Sequence, residues 1–215
     1  MSLKINFFAF FFCILAQQIL AAPKFPFPQD QSTANGIKPA GANHNDVQAA
    51  YDIFLQNYYE ESGDQARIKW DTPAQTVSEG IGYGMLIFVF MDNTKNNTQG
   101  KFDKLWKYYQ SHLNGSGLMN WKITGFGGVV GSNGATDGDI DVAFALCLAY
   151  YQWGDEKYKT AGSSLSGKVF SSEVSGSVLK PGDDPNFTRP LNPSYFITAG
   201  LNFFDKHQTE FGSHS

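Results

Sequence analysis

Residues 134–153 read GATDGDIDVAFALCLAYYQW, a short acidic turn followed by a run over 140–151 that is apolar nearly all round. A helix with that pattern has to be buried on every side. Residues 80–91, GIGYGMLIFVFM, repeat the pattern. Between these segments lie amphipathic ones. Residues 46–61 place Val47, Tyr51, Phe54 and Tyr58 at helical spacing, and 102–113 do the same with Phe102, Leu105, Trp106, Tyr109 and Leu113. A weaker amphipathic segment over 155–172 and an apolar one over 194–204 extend the series to three outer/inner alternations. The β-branched LIFVF leaves a buried strand open as an alternative, but the runs have helical length and each follows a helix-start signal. The expected architecture is all-α, an α/α toroid of helical hairpins around a core. A solenoid of helix pairs is the alternative, although no repeat of fixed period is present.

Each inner segment opens on a polar motif: TVSEG, GATDGD and LNPSYF. Inner helices of a toroid run parallel, so the three motifs are expected on one rim. Thr76 with Glu79, and Thr136 with Asp139, also fit a capping box, in which the acid bonds back to the cap amide. Glycosidic cleavage needs a carboxylic acid on the leaving oxygen and a second carboxylate across the sugar. Glu79 suits the first role if burial or acidic neighbours offset the helix dipole. Asp137 is the best second acid, Asp139 reads as the cap partner, and Asp141 lies a turn further in. Gly80, Gly82 and Gly84 are expected to let a polysaccharide approach the backbone. The acids at 137, 139 and 141 have the spacing of a calcium loop, but Val142 and Leu148 stand where its glycine and bidentate glutamate belong. Trp121 is a candidate stacking platform or a packing residue, and Tyr195 a sugar contact or an anchor of its helix start. The histidines at 44, 112, 207 and 214 lack ligand spacing, so no metal or cofactor is expected.

The 215 residues suit one domain, and a net charge of −4 without a basic cluster argues against a nucleic-acid partner. Lys4, the apolar run 5–16 and Ala21-Ala22 predict a signal peptide over 1–22, too short to span a membrane, and hence a secreted, extracellular protein. Residues 23–45, rich in Pro, Gly, Gln and Asn, read as a flexible leader. Cys147 is expected to be a buried free thiol, because Cys13 leaves with the signal peptide. Sequons at Asn96, Asn114 and Asn186 are expected in surface loops.

From Asp46 to Phe204 the chain resembles glycoside hydrolase family 8. The match runs through TVSEGIGYGM, FDKLWKYY, GLMNWKI, ATDGDIDVAFALCLAYYQWG, PGDD and NPSYF in order. The resemblance implies an (α/α)6 barrel, of which 46–215 would supply about three of six helix pairs. It implies inverting hydrolysis of internal β-1,4 bonds in a polysaccharide, with Glu79 as general acid and Asp137 in the central sugar subsite. Trp121, Tyr195 and Tyr83 are then substrate contacts, and the full-length protein a monomer. Ile81 departs from the glutamine of many members. The family's catalytic base has no counterpart, since Asp183, Asp184, Asp205 and Glu210 match no base motif. A cellulose-type or mixed-linkage glucan is the favoured substrate over xylan or chitosan. A secreted carbohydrate-binding protein without catalysis is the alternative.

Overall fold

A computed structural model describes residues 21–29, 36–37, 39–187 and 192–211. Apart from Ala21 and Ala22, the expected signal peptide lies outside them. Helix α1 (His44–Tyr58) leads into a hairpin of β1 (Tyr59–Ser62) and β2 (Gln65–Ile68), and β3 (Gln75–Val77) runs directly into α2 (Ser78–Met91). Next come α3 (Gln99–Ser111), β4 (Lys122–Thr124), β5 (Gly128–Gly131), α4 (Thr136–Trp153) and α5 (Glu156–Glu173). A two-residue-per-strand hairpin of β6 (Val174–Ser175) and β7 (Val178–Leu179), a 3-10 turn over Pro193–Tyr195, α6 (Thr198–Lys206) and α7 (Gln208–Phe211) follow.

The outer/inner alternation is present. Helix α4 packs against α2, α5 and α6, and so buries residues all round its axis, among them Ile140, Ala143, Leu146 and Cys147. Helix α3 is amphipathic: Phe102, Leu105, Tyr108 and Tyr109 face the core, where each large side chain contributes about 1.5–3 kcal/mol. Cys147 is a buried free thiol whose pKa burial pushes up to about 12, as a small hydrophobe requires. Asn43 caps α1 by accepting from the Asp46 amide at 3.0 Å, and Asp155 caps α5 by accepting from the Lys157 amide at 2.9 Å. Gly154 ends α4 in the left-handed region at φ 73°.

Several expectations change. Val47 and Tyr58 are exposed, as is Leu113, because the apolar face of α1 and the end of α3 are only partly covered. The third inner segment begins with a 3-10 turn, and its α-helix starts only at Thr198. Among the described residues three antiparallel sheets, β1-β2, β3-β4-β5 and β6-β7, join the helices. Part of the leader is held rather than flexible. The Lys24 amide donates to the Gln152 carbonyl at 2.8 Å and the Phe27 amide to the Asp92 carbonyl at 2.7 Å. The Gln152 side chain pairs with both the N–H and C=O of Phe25. This strap crosses the C-terminal ends of α2 and α4, away from their polar starts. The sequons at Asn96 and Asn114 lie in loops as expected, the Asn96 side chain donating to the Met91 carbonyl and the Asn114 side chain to Asp183. No helix among the described residues is long and apolar enough to cross a membrane.

Candidate active site

The starts of α2 and α4 meet because two glycines remove side chains between them. A β-carbon on Gly138 would fall 2.6 Å from the Glu79 amide nitrogen and 2.6 Å from Ser78 Oγ. On Gly82 it would fall 2.7 Å from Asp141 Cβ. The expected role of the α2 glycines is thereby corrected. Gly82 and Gly84 are packing positions rather than openings for substrate, since a β-carbon on Gly84 would fall 2.8 Å from side-chain carbons of both Ile68 and Leu105.

The capping-box reading fails at both helices. Thr76 lies in β3 with its hydroxyl donating to the Ile68 carbonyl at 2.9 Å, and the α2 cap position, Val77, has no side-chain cap. Thr136 Oγ1 donates to the Lys180 carbonyl at 2.7 Å, and the α4 cap position is Ala135. Glu79 is therefore free of the cap and accepts from the Tyr83 hydroxyl at 2.6 Å, one turn along α2. That hydrogen bond, followed by burial, raises the Tyr83 pKa.

Around Glu79 the acids crowd. Asp137 is buried, and desolvation pushes its pKa up to about 6 against the Gly138 amide, which donates to it at 2.8 Å and lowers it; the Glu79 charge adds to the rise. Asp141 is also buried, and desolvation, then Asp137, then Glu79, push it up to about 7. In the sequence Asp141 lies a turn further in than Asp137. One helical turn places it on the same face as Asp137, against Gly82, and that i, i+4 relation was the available signal.

The β3-β4-β5 ladder delivers the aromatic side of the site. Val77 pairs with Lys122 in register, and the Ser78 amide donates to the Trp121 carbonyl at 3.0 Å, so Trp121 stands beside the start of α2. Gly131 has to be glycine here, since a β-carbon would lie 2.3 Å from Trp121 Nε1. The Lys122 ammonium sits 4.5 Å from the Trp121 ring centre and 5.4 Å from that of Trp70. A cavity of about 120 Å³ is lined by Trp70, Val77, Ser78, Glu79, Trp121, Ala135, Asp137 and Tyr195. Glu79, Asp137, Trp121 and Tyr195 are thus brought together as expected. Tyr83 joins them through Glu79, and Trp70, on the link from β2 to β3, was missed because nothing local marks it.

The late acids serve other ends. Asp183 accepts from the Gly134 amide at 2.7 Å and from the Asn114 side chain at 2.9 Å, docking PGDD onto the start of α4. Asp184 holds the Asn186 amide, Asp205 accepts from Gln208, and Glu210 meets Tyr151 and His207. Among the described residues the cavity has no third carboxylate in its lining. A larger groove of about 660 Å³ runs between α3 and α5, but its one carboxylate, Asp103, is tied to Lys157 and Tyr158.

Comparison with known proteins agrees with this geometry. The chain is 36% identical over 211 residues to a beta-glucanase of Niallia circulans, covering 90% of this chain and 52% of that protein. It is 31% identical to endoglucanase C of Ruminiclostridium cellulolyticum, over 86% of this chain and 43% of that protein. Among solved structures, the apo beta-1,3-1,4-glucanase from Paenibacillus sp. X4 superposes with a TM-score of 0.79 at 35% identity, over 86% of this chain and 53% of that one. The chain spans about half the length of the curated relatives it matches. The toroid of these relatives is the architecture that the alternating helices build here in part. The profile of the glycosyl hydrolases family 8 matches residues 25–211, and the chain belongs to that family.

Proposed function

We propose that the protein containing this chain hydrolyses internal β-1,4 bonds of a cellulose-type or mixed-linkage β-glucan by an inverting acid/base mechanism. The observation that carries the reading is the meeting of Glu79 and Asp137, from two neighbouring inner helices, in one cavity with Trp121 and Tyr195. Glu79 protonates the departing glycosidic oxygen. The Tyr83 hydroxyl holds its Oε1 and fixes the carboxyl plane, so the transferable proton sits on the other oxygen. Asp137, whose burial keeps it protonated to a higher pH than an ordinary aspartate, bonds a hydroxyl of the sugar being cleaved. Trp121 and Tyr195 hold the ring by stacking and hydrogen bonding. The base that removes a proton from the attacking water stands across the sugar, roughly 6.5–9.5 Å from the acid in an inverting enzyme. We assign that role to a residue outside this chain.

The names of the relatives, a beta-glucanase and an endoglucanase, support glucan as the polymer. Export is proposed from the N-terminal apolar run, and N-terminal sequencing of protein recovered from the medium checks it. The main test measures reducing ends released from soluble β-glucan by the longest open reading frame containing this sequence, beside its Glu79→Gln variant. Release that Glu79→Gln abolishes supports the enzyme. Binding to glucan without release, equal in both proteins, would instead establish a carbohydrate-binding protein.

A further inference from the structure

Two positions beyond Asp137, the Asp139 side chain is fully buried. Tyr109, from α3, donates its hydroxyl to Asp139 Oδ1. Asp139 Oδ2 and both oxygens of Glu173, the last residue of α5, are closed off from solvent without any donor. They converge on one spot. A β-carbon on Gly134 would lie 2.7 Å from Asp139 Oδ2 and 3.0 Å from Glu173 Oε1. The nearby Thr136 hydroxyl is committed to the Lys180 carbonyl, and the charged groups acting on the two acids are each other, Asp137 and Asp183, all negative. Two ionised carboxylates cannot be left side by side without donors in a desolvated site. One proton resolves this, because the O–H of one carboxyl then donates to the other.

We propose that Glu173 is a positioning residue: with Asp139 it forms a buried carboxyl–carboxylate pair sharing one proton, which clamps the first turn of α4, including Asp137, to the end of α5. Burial pushes both acids above the usual carboxylate range, joined at Glu173 by the Asp139 charge and at Asp139 by the Asp183 and Asp137 charges, while the hydrogen bond from Glu173 lowers Asp139, as a proton held on Glu173 requires. Gly134 and Asp183 complete the clamp. The Asp183 carboxylate takes the Gly134 amide, so the GATDGD turn is fixed from outside while the shared proton fixes it from within. The consequence for catalysis rests on the hydrolase reading above; the clamp itself does not.

The test compares the wild-type chain with Glu173→Gln and Glu173→Ala. At about pH 8.5 Asp137 and Asp141 are ionised, so the infrared band of a protonated carboxyl reports the pair. The band is expected in wild type and lost in Glu173→Gln, whose amide donates to an ionised Asp139. No band in wild type, or a band persisting in Glu173→Gln, overturns the shared proton. In hydrogen exchange, the amides of 136–141 should open about tenfold faster in Glu173→Ala and return to wild-type rates in Glu173→Gln. Equal rates in all three overturn the clamp. Should Glu173→Ala not fold, Glu173→Met, which fills the space without a donor, takes its place. In the full-length enzyme, kcat is expected to fall about tenfold in Glu173→Ala with KM unchanged and to recover in Glu173→Gln. If wild type releases no reducing ends, the hydrolase reading fails while the band and the exchange rates still decide the pair.

Discussion

Gly138 of α4 lies directly against the backbone of Glu79 in α2: a β-carbon there would sit 2.6 Å from the Glu79 amide nitrogen. The contact sets how close the two acid-bearing helix starts come. Gly138→Ala must push them apart, and because the obstacle is backbone it cannot be relieved by a rotamer change. We expect a stability loss of about 1–3 kcal/mol, read by denaturant unfolding, as for other overpacked sites. Hydrolysis by the full-length protein should fall further than the unfolded fraction explains. Gly115→Ala, where a β-carbon meets nothing within 4 Å, is the matched control and should be neutral. Equal behaviour of the two variants would refute the spacer role.

Tyr83→Phe removes the donor on Glu79 while keeping the ring. A hydrogen bond to a charged group contributes about 1.5–3 kcal/mol, so a bond realised mainly in the transition state corresponds to at least about a tenfold fall in kcat. KM should change little. A rise in KM at constant kcat would mean that Tyr83 binds the sugar and does not orient the acid.

Asp137 and Asp141 give stability a definite pH dependence. Their folded pKa values, about 6 and about 7, stand above the roughly 3.9 of an unfolded aspartate. Between these limits the native state holds more protons than the unfolded chain, so stability falls as pH rises. The favourable contribution is complete below about pH 4 and lost by about pH 7, on the order of 4 kcal/mol for Asp141. Asp141→Asn should therefore unfold at higher urea than wild type at pH 8 and at nearly the same urea at pH 4. A difference independent of pH would contradict the burial of this carboxyl.

The sequence made α2, α3 and α4 legible because their apolar patterns are long and strongly periodic. Glu79, Asp137, Trp121 and Tyr195 could be placed together because parallel inner helices put their starts on one rim. What stayed hidden depends on pairs distant in sequence. Strands of two to four residues such as β3 carry too few positions to show a period, and they are what bring Trp121 to Ser78. Thr76 and Thr136 fit a capping box locally, yet Ile68 and Lys180 offer their hydroxyls carbonyl acceptors from other segments. Asp139 looked like a cap partner for the same reason, while its real neighbours, Tyr109 and Glu173, lie 30 or more residues away. The leader composition predicted flexibility, but Gln152 satisfies both backbone groups of Phe25 and holds it.

The outward face of α2 bears on how this chain behaves alone. Tyr83 and Phe90 are 51% and 47% exposed, and Leu86 and Ile87 between them are only half covered. With Val47 and Phe54 of α1, Leu86, Ile87 and Phe90 border an apolar groove of about 350 Å³. Contiguous apolar surface of this kind drives association in water. The isolated 215-residue chain is therefore expected to elute larger than a monomer and to bind a hydrophobic dye. Phe90→Glu places a charge at the end of the stripe that borders the groove without disturbing the core, since the side chain is already half in solvent. It should shift the chain toward monomer and reduce dye binding, with its unfolding midpoint unchanged. A wild-type chain that runs as a monomer at micromolar concentration would show that the stripe is tolerated in water, and Phe90→Glu would then change neither measurement.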